Sequence, residues 1–446
     1  MWRQLYAATV KKAVPGCCCL FSLFGLPATQ AADMQVASLD IDIAVQRTVQ
    51  WHPAIAEAIG LLMQQNEQIT VARAGYYPQI SAGVRSGYDN AYPDNRYSQA
   101  LVLSVSQMLY DFGKVSGEVR VARAGVAQYQ AGLLLTIDQV IREVMQAIIE
   151  IQRYQQLVSI AGEQLQALEQ VAALARERHS KGASSLSDVV QSESRIEGAR
   201  AMHLQYLAQL ERWRGTLAML MGDMQLPAIS GRFPDQHGAC NVAADIQTTP
   251  AMLVAQAQRQ QALARIDQAQ ALLLPTISLD PTATHYLDNN PLAGSGRDRT
   301  QYAVALNFSV PIDQGGAVKA RQRAASQALR SADAGLQQAA LTAKQQLLEG
   351  QNQQTSLQQN LDVLVRRQQL SMQTRDLYRQ QYLALGTRPL LDLLNAEQEI
   401  YQAQLDRQHT LSDLRQLQAG CLFHSGQLRR TFALQHSRIQ GIELQP

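Results

Sequence analysis

Apolar positions recur along this chain with two different periods, and each period is met twice. Between Gly113 and His179 there is no proline, and apolar residues return at alternating steps of four and three, as in Val144, Ile148, Ile151 and Val158, with Gln155 in a polar slot. That spacing predicts a long helix with a coiled-coil seam. Roughly seventy helical residues would span about 100 Å. The stretch from Gly315 to Leu385 is likewise free of proline and rich in Gln, Ala, Leu and Arg. Shorter return helices are predicted at 186–221 and 390–417, the second carrying Leu391, Leu394, Gln398, Tyr401 and Leu405 at three-four spacing. The other period is two. Leu101, Leu103, Val105 and Leu109 alternate with Ala100, Ser104 and Ser106, and Tyr302, Val304, Leu306, Phe308 and Val310 alternate with Ala303, Ala305, Asn307 and Ser309. Each run is about ten residues, the length of a tilted strand crossing a membrane. Weaker partner strands are expected at 78–88 and 275–286, across the loops 89–96 and 287–299. Tyr76, Tyr77, Tyr88, Tyr92, Tyr97 and Tyr110 stand at strand ends, where an aromatic girdle would lie.

These elements come in the same order in two halves. Pro53 opens a helix that ends at Pro78, and Pro250 opens another that ends at Pro275, at the same separation. A strand pair, a glycine (Gly113 or Gly315), a long helix and a second glycine (Gly182 or Gly386) follow in both. The expected plan is a first repeat at 39–223 (helix, strand pair about 78–109, helices 113–180 and 186–221), a linker at 224–248, and a second repeat at 249–419 (helix, strand pair about 275–312, helices 315–385 and 390–417). A tail at 420–446 contains Arg429 and Arg430 and is expected to be an outer equatorial or disordered segment. The duplication must be explained by any account of function.

Charge and cysteine usage narrow the setting. The net charge is +2, with 17% charged residues, and no block of like charge offers a footprint for nucleic acid. Arg3, Lys11 and Lys12 precede an apolar run from Ala13 to Leu26 and small residues around Ala31, which reads as a signal peptide over 1–31. Cys17 has too little apolar chain before it for lipid attachment. Cleavage leaves Cys240 and Cys421, either bonded in an oxidising compartment or present as two thiols. Beyond the leader no stretch is long and apolar enough for a membrane helix. The histidines lack metal-ligand spacing and no serine lies in a nucleophile elbow, so neither an enzyme nor a cofactor is expected. Alternation with terminal tyrosines also describes an ordinary half-buried sheet, and a soluble periplasmic coiled-coil adaptor or scaffold would share the long helices. Such a scaffold would not need two copies of membrane-length strands. Four strands in one chain cannot close a barrel with a polar lumen, so strands that enter lipid must be shared among chains.

The proline landmarks, the joint Leu109-Tyr110-Asp111-Phe112-Gly113-Lys114 and the run Leu385-Gly386-Thr387-Arg388-Pro389-Leu390-Leu391-Asp392-Leu393-Leu394 resemble the TolC family of outer-membrane channel-tunnel proteins, over about 39–417. Asp111-Phe112-Gly113 lacks the companion motifs of a kinase and reads as a turn into a helix. The resemblance implies a mainly α fold with a membrane β-barrel. Three chains would contribute four strands each to a twelve-stranded barrel, above a long coiled-coil helical barrel in the periplasm of a Gram-negative bacterium. Leu101, Leu103, Val105, Val304, Leu306 and Phe308 would then face outer-membrane lipid. The glycine landmarks would be helix-hairpin tips, with Gly182, Ala183, Ser184, Leu385, Gly386 and Thr387 meeting a periplasmic adaptor of the membrane-fusion type. Ser187, Asp188, Leu383, Arg388, Asp392 and Asn395 would form the periplasmic gate, with Arg388 reaching the neighbouring hairpin. The pattern departs from the family at Leu383, where a gating tyrosine is usual, and at Asn395, where an acid is usual. The implied function is a passive exit duct fed by an inner-membrane transporter of the ABC type. The Tyr-Asp-Phe-Gly joint is similar to members serving type I protein secretion. Small-molecule efflux is the alternative.

Overall fold

A computed structural model of the chain describes residues 39–88, 97–223, 229, 239–240, 246–287, 299–312 and 314–444, with the side chain of Leu385 excepted. The leader expected at 1–31, most of the linker and most of both strand-connecting loops lie outside the described residues. The elements run α1 (Ile41–Trp51), α2 (Pro53–Arg73), β1 (Gln79–Tyr88), β2 (Tyr97–Tyr110), α3 (Lys114–Ser180), α4 (Leu186–Met221), α5 (Pro250–Ala271), β3 (Thr276–Tyr286), β4 (Thr300–Ser309), α6 (Ala317–Gln380), α7 (Leu390–His424), α8 (Leu428–Thr431), β5 (Arg438–Ile439) and β6 (Ile442–Glu443). No described helix is long and apolar enough to cross a membrane.

Local chemistry sets the element ends. Pro53 and Pro250 occupy the first turns of α2 and α5, where a missing N–H costs nothing. The Thr249 hydroxyl accepts from Met252 N as the N-cap of α5. Asp111 caps α3: one carboxylate oxygen accepts from Gly113 N at 2.9 Å and the other from Val115 N at 2.6 Å. Asp-Phe-Gly is therefore the turn that joins β2 to α3, with Phe112 and Gly113 both at positive φ. Lys114 then reaches across to Thr276 at 2.7 Å, tying this joint to the start of β3.

The strands form one antiparallel sheet in the order β1-β2-β3-β4. The pairs β1–β2 and β3–β4 belong to single halves, and β2–β3 joins the two halves, with an irregularity between Met108 and Tyr110.

The helical core centres on α3. Ile137, Ile141, Met145, Ile148, Ile149 and Ile151 are fully buried, on more than one face of the helix, because α1, α4, α5, α7 and α8 all pack on α3. Burying such a side chain contributes about 1.5–3 kcal/mol. The tail joins this core. Helix α7 continues past the expected end at 417 to His424, and Leu428, Phe432, Leu434, Ile439 and Leu444 are buried in the same cluster as α1 and α3. Cys240 is disulfide-bonded to Cys421, pinning a short piece of the inter-repeat segment to α7. Gly350 of α6 lies against this bond, where a Cβ would sit 2.7 Å from Cys421 Sγ, so α6 can approach the disulfide only because it carries no side chain there.

One polar group interrupts this core. Asp138 of α3 is fully buried and ion-paired with Arg429 of α8, Oδ1 to Nε 3.1 Å. Burial pushes the Asp138 carboxyl up to about 7, and Arg429 offsets only part of that shift. An acid whose native pKa exceeds its unfolded value holds its proton more tightly when folded. Its contribution is therefore greatest below about pH 4 and is lost as pH rises towards 7, by about 1.4 kcal/mol per unit. Asp138→Asn should remove this loss. In denaturant titrations, the variant's stability relative to the parent should rise between about pH 4.5 and pH 7.5, and a difference independent of pH would contradict the assignment.

Candidate functional site

The sheet has two chemically distinct faces. Register places Ile80, Ala82 and Val84 of β1 opposite Val105, Leu103 and Leu101 of β2, Leu101 and Leu103 opposite His285 and Ala283 of β3, and Leu279 and Ile277 opposite Leu306 and Phe308 of β4. These residues all share one face, because side chains alternate along a strand. Five of the residues singled out in the sequence, Leu101, Leu103, Val304, Leu306 and Phe308, are exposed there, and Val105 is half-buried. Apolar side chains exposed on β1, β2 and β4 and half-buried on β3 are costly in water and favourable in lipid. Tyr88 and Tyr97 pair at one rim, with ring centroids 5.1 Å apart, and Tyr110 packs on Phe112 at the other. The opposite face carries Ser81, Ser104, Ser106, Ser278, Thr282, Thr284 and Asn307.

At the other end of the long helices lie the two hairpin tips. Gly182 and Gly386 both take positive φ, 75° and 63°, which lets each helix stop and reverse. Gly182, Ala183, Gly386 and Thr387 are exposed and Ser184 is half-buried. In the first tip, Ser185 and Asp188 form a capping box at the start of α4, and Ser184 Oγ donates to Asp188 Oδ2 at 2.7 Å. That hydroxyl is the main reason the Asp188 carboxyl lies below its usual range. Ser187 bonds to the Ser185 hydroxyl at 2.7 Å.

In the second tip α6 runs into a π-helical turn at Gln381–Leu385, which leaves Leu383 exposed and Tyr382 buried among Leu390, Leu393 and Leu394. Arg388 stays within its own hairpin. It donates to Asp392 at 2.8 Å and to Gln381 at 3.0 Å, and it lies 4.3 Å above the Tyr378 ring. Among the described residues of one chain, neither Ser187 nor Asp188 bonds to it. Asn395 accepts from Arg195 of α4 at 3.1 Å, and Arg195 also donates to Gln398.

A further contact between the two tips is one that the sequence did not point to. Arg178, in the last turn of α3, donates to the Tyr382 carbonyl at 2.8 Å and lies 4.6 Å from its ring centroid, a cation–π arrangement. Its only advance signal is its place one turn before Gly182.

An apolar four-stranded sheet face, a polar opposite face and hairpinned helices of this length define a channel-forming protein of the bacterial outer membrane. The family model for outer membrane efflux proteins matches residues 44–223 and 245–419, and the chain belongs to that family. Over 332 residues it is 26% identical to Protein CyaE of Bordetella pertussis, covering 71% of this chain and 68% of that one. It is 24% identical to the outer membrane protein TolC of Salmonella enteritidis over 361 residues, 76% and 72% of the two chains. Among solved structures, CusC superposes with a TM-score of 0.76 at 16% identity, covering 87% of this chain and 92% of that one. The outer membrane protein VceC of Vibrio cholerae gives 0.74 at 18% identity, with coverages of 86% and 96%. The protein is thus an outer-membrane exit channel whose helices lie in the periplasm.

Removing the contact between the tips has a local consequence. Arg178→Ala should accelerate amide hydrogen exchange at 381–385 and leave exchange in the buried part of α3 near Ile148 unchanged. Equal protection at 381–385 in parent and variant would show that Arg178 does not hold this turn.

Proposed function

We propose that three copies of this chain form a passive exit duct, loaded from the inner membrane by an ABC-type transporter through a periplasmic adaptor of the membrane-fusion type, and that its cargo is protein. The observation that carries the duct is the apolar face continuous over four strands whose two outer edges, on β1 and β4, lack strand partners among the described residues. Such edges cannot face lipid, and copies of the same sheet can close on one another. A second feature supports self-association. Leu341 and Leu348, then Val363, Leu370 and Leu377, stand exposed on α6 at seven-residue spacing, a seam left uncovered by the described residues of its own chain.

In this reading the tip residues Gly182, Ala183, Ser184, Gly386 and Thr387, together with Leu385, receive the adaptor. Asp188, Ser187, Leu383, Arg388, Asp392 and Asn395 line the entrance. Three Arg388–Asp392 pairs are individually weak, about 0–1 kcal/mol each. Repeated by symmetry, they can bias an equilibrium that a partner then shifts. Protein cargo is supported by the Tyr110-Asp111-Phe112-Gly113 joint. Efflux of small molecules is the second reading, favoured by the similarity to the outer membrane efflux protein BepC of Brucella suis, 24% identical over 60% of this chain. Deleting the gene and comparing the secreted proteome with drug susceptibility separates the two.

Charged groups on the lipid face should be fatal to assembly. Leu103→Arg with Leu306→Arg costs about 2–4 kcal/mol per site near the bilayer midplane, and detergent extracts of outer membranes should then lack the trimer-sized particle found for the parent. An undiminished particle would mean that this face does not meet lipid. At the entrance, Arg388→Ala should raise single-channel conductance in planar bilayers, and conductance equal to the parent would remove Arg388 from the gate.

A further inference from the structure

The face of the sheet turned away from lipid carries mostly hydroxyls, amides and small residues, with Val102 and Met108 among them, and its described strand positions include two charged side chains. Arg85 of β1 lies opposite Ala100, which lies opposite Tyr286 of β3. Asp280 of β3 lies opposite Ala305 of β4. Six residues of β3 separate the two levels, roughly 20 Å along the strand. Because β3 begins at Thr276, directly after α5, Asp280 sits near the helical base of the barrel and Arg85 near its outer rim.

Asp280 is held in place. Ser106 Oγ of β2 donates to its Oδ1 at 2.6 Å and Ser278 Oγ to its Oδ2 at 2.8 Å. Both partners are neutral, and among the described residues no ion pair to Asp280 forms, so the carboxylate keeps its full charge while its orientation is fixed. A carboxylate serving only to stitch β2 to β3 would need no charge; threonine or asparagine could make such a bond.

We propose that Asp280 is a charge-selecting residue of the barrel lumen and makes the open pore favour small cations. The inference rests on three copies sharing one barrel, which sets three fixed carboxylates at a single level of the pore. Their field acts on ions within about one Debye length, some 8 Å at physiological ionic strength. Arg85, more than twice as far away, and Lys114, whose ammonium bonds to Thr276 four residues or roughly 13 Å along β3, both lie beyond that length. Asp392 lies beyond α6, about 100 Å away for 64 helical residues, so its influence is separable from that of Asp280.

The test is the reversal potential of the full-length protein in planar bilayers under a potassium chloride gradient. The parent should prefer potassium, most strongly at low salt. Asp280→Asn, which keeps an oxygen acceptor, should lose most of that preference, whereas Asp280→Glu should retain it. In protein from which the leader with Cys17, Cys18 and Cys19 has been removed, Asp280→Cys should regain cation preference when labelled with a sulfonate-bearing thiosulfonate and reverse it with a trimethylammonium one, because Cys240 and Cys421 are bonded to each other and do not compete for the reagent. A reversal potential unchanged by Asp280→Asn, or labels of opposite charge with equal effect, would overturn the proposal while leaving the duct intact. A parent protein that conducts no ions would overturn both.

Discussion

The constraint on which the rest depends is that a backbone amide or carbonyl in hydrocarbon must be hydrogen-bonded by protein. Four strands satisfy it for β2 and β3 and leave the outer edges of β1 and β4 open. The sheet is therefore stable in the membrane only as part of a larger closed one. That requirement in turn gives the duplication a use. Each half supplies one hairpin, and the β2–β3 pairing joins the halves into a wider arc. The helical connection between them must then leave and return at the same side of the membrane. It does so through α3 and α4, reversed at Gly182, and then α5, and the α6–α7 hairpin that follows β4 repeats the reversal at Gly386.

Apolar burial is distributed to match. The largest cluster gathers α1, the middle of α3, the ends of α4 and α7, and the tail, away from both lipid and the tips. The disulfide and the Asp138–Arg429 pair lie in the same region. A buried ion pair is weak evidence for stability, because desolvation offsets its attraction. The carboxyl pushed up towards neutrality shows that offset directly. What the pair does accomplish is to give α8 one place to dock on α3, since an Asp138 left without a partner would be more costly still.

The local elements were legible in the sequence because their signals are local. Alternation of Leu101, Leu103 and Val105 with small polar residues marks a two-faced strand, and the structure puts all three on one face. The three-four seam around Val144 and Ile148 marks a buried helix, and the family resemblance followed from the glycine and proline landmarks. Contacts between distant segments were not legible. Nothing in Arg178 announces that it meets Tyr382, and nothing in Arg429 announces Asp138, because each pair depends on how two helices far apart in sequence are brought together. The tail, read as equatorial or disordered, packs into the core, since its apolar residues are too sparsely spaced to show a period. The bond between Asn395 and Arg195 of α4 was equally out of reach of the sequence.

The tips are coupled differently from the core. Helices α4 and α7 touch at few points, and the two hairpins are joined mainly through α3, which packs on α7 along its length. Near the tips the cross-links are polar: Arg178 to Tyr382 and Arg195 to Asn395 and Gln398. Of these, the Arg195 contacts are exposed, contribute little individually and can be exchanged for water, whereas the Arg178–Tyr382 contact is partly buried. Separating the hairpins at their tips therefore disturbs a few such bonds and one small apolar cluster around Tyr382 and Leu393. Separating them nearer the middle would expose fully buried isoleucines and strain a disulfide. The gradient makes the periplasmic end the part of the helical barrel that can move while the rest holds its shape. An entrance placed there can open without unfolding the wall behind it.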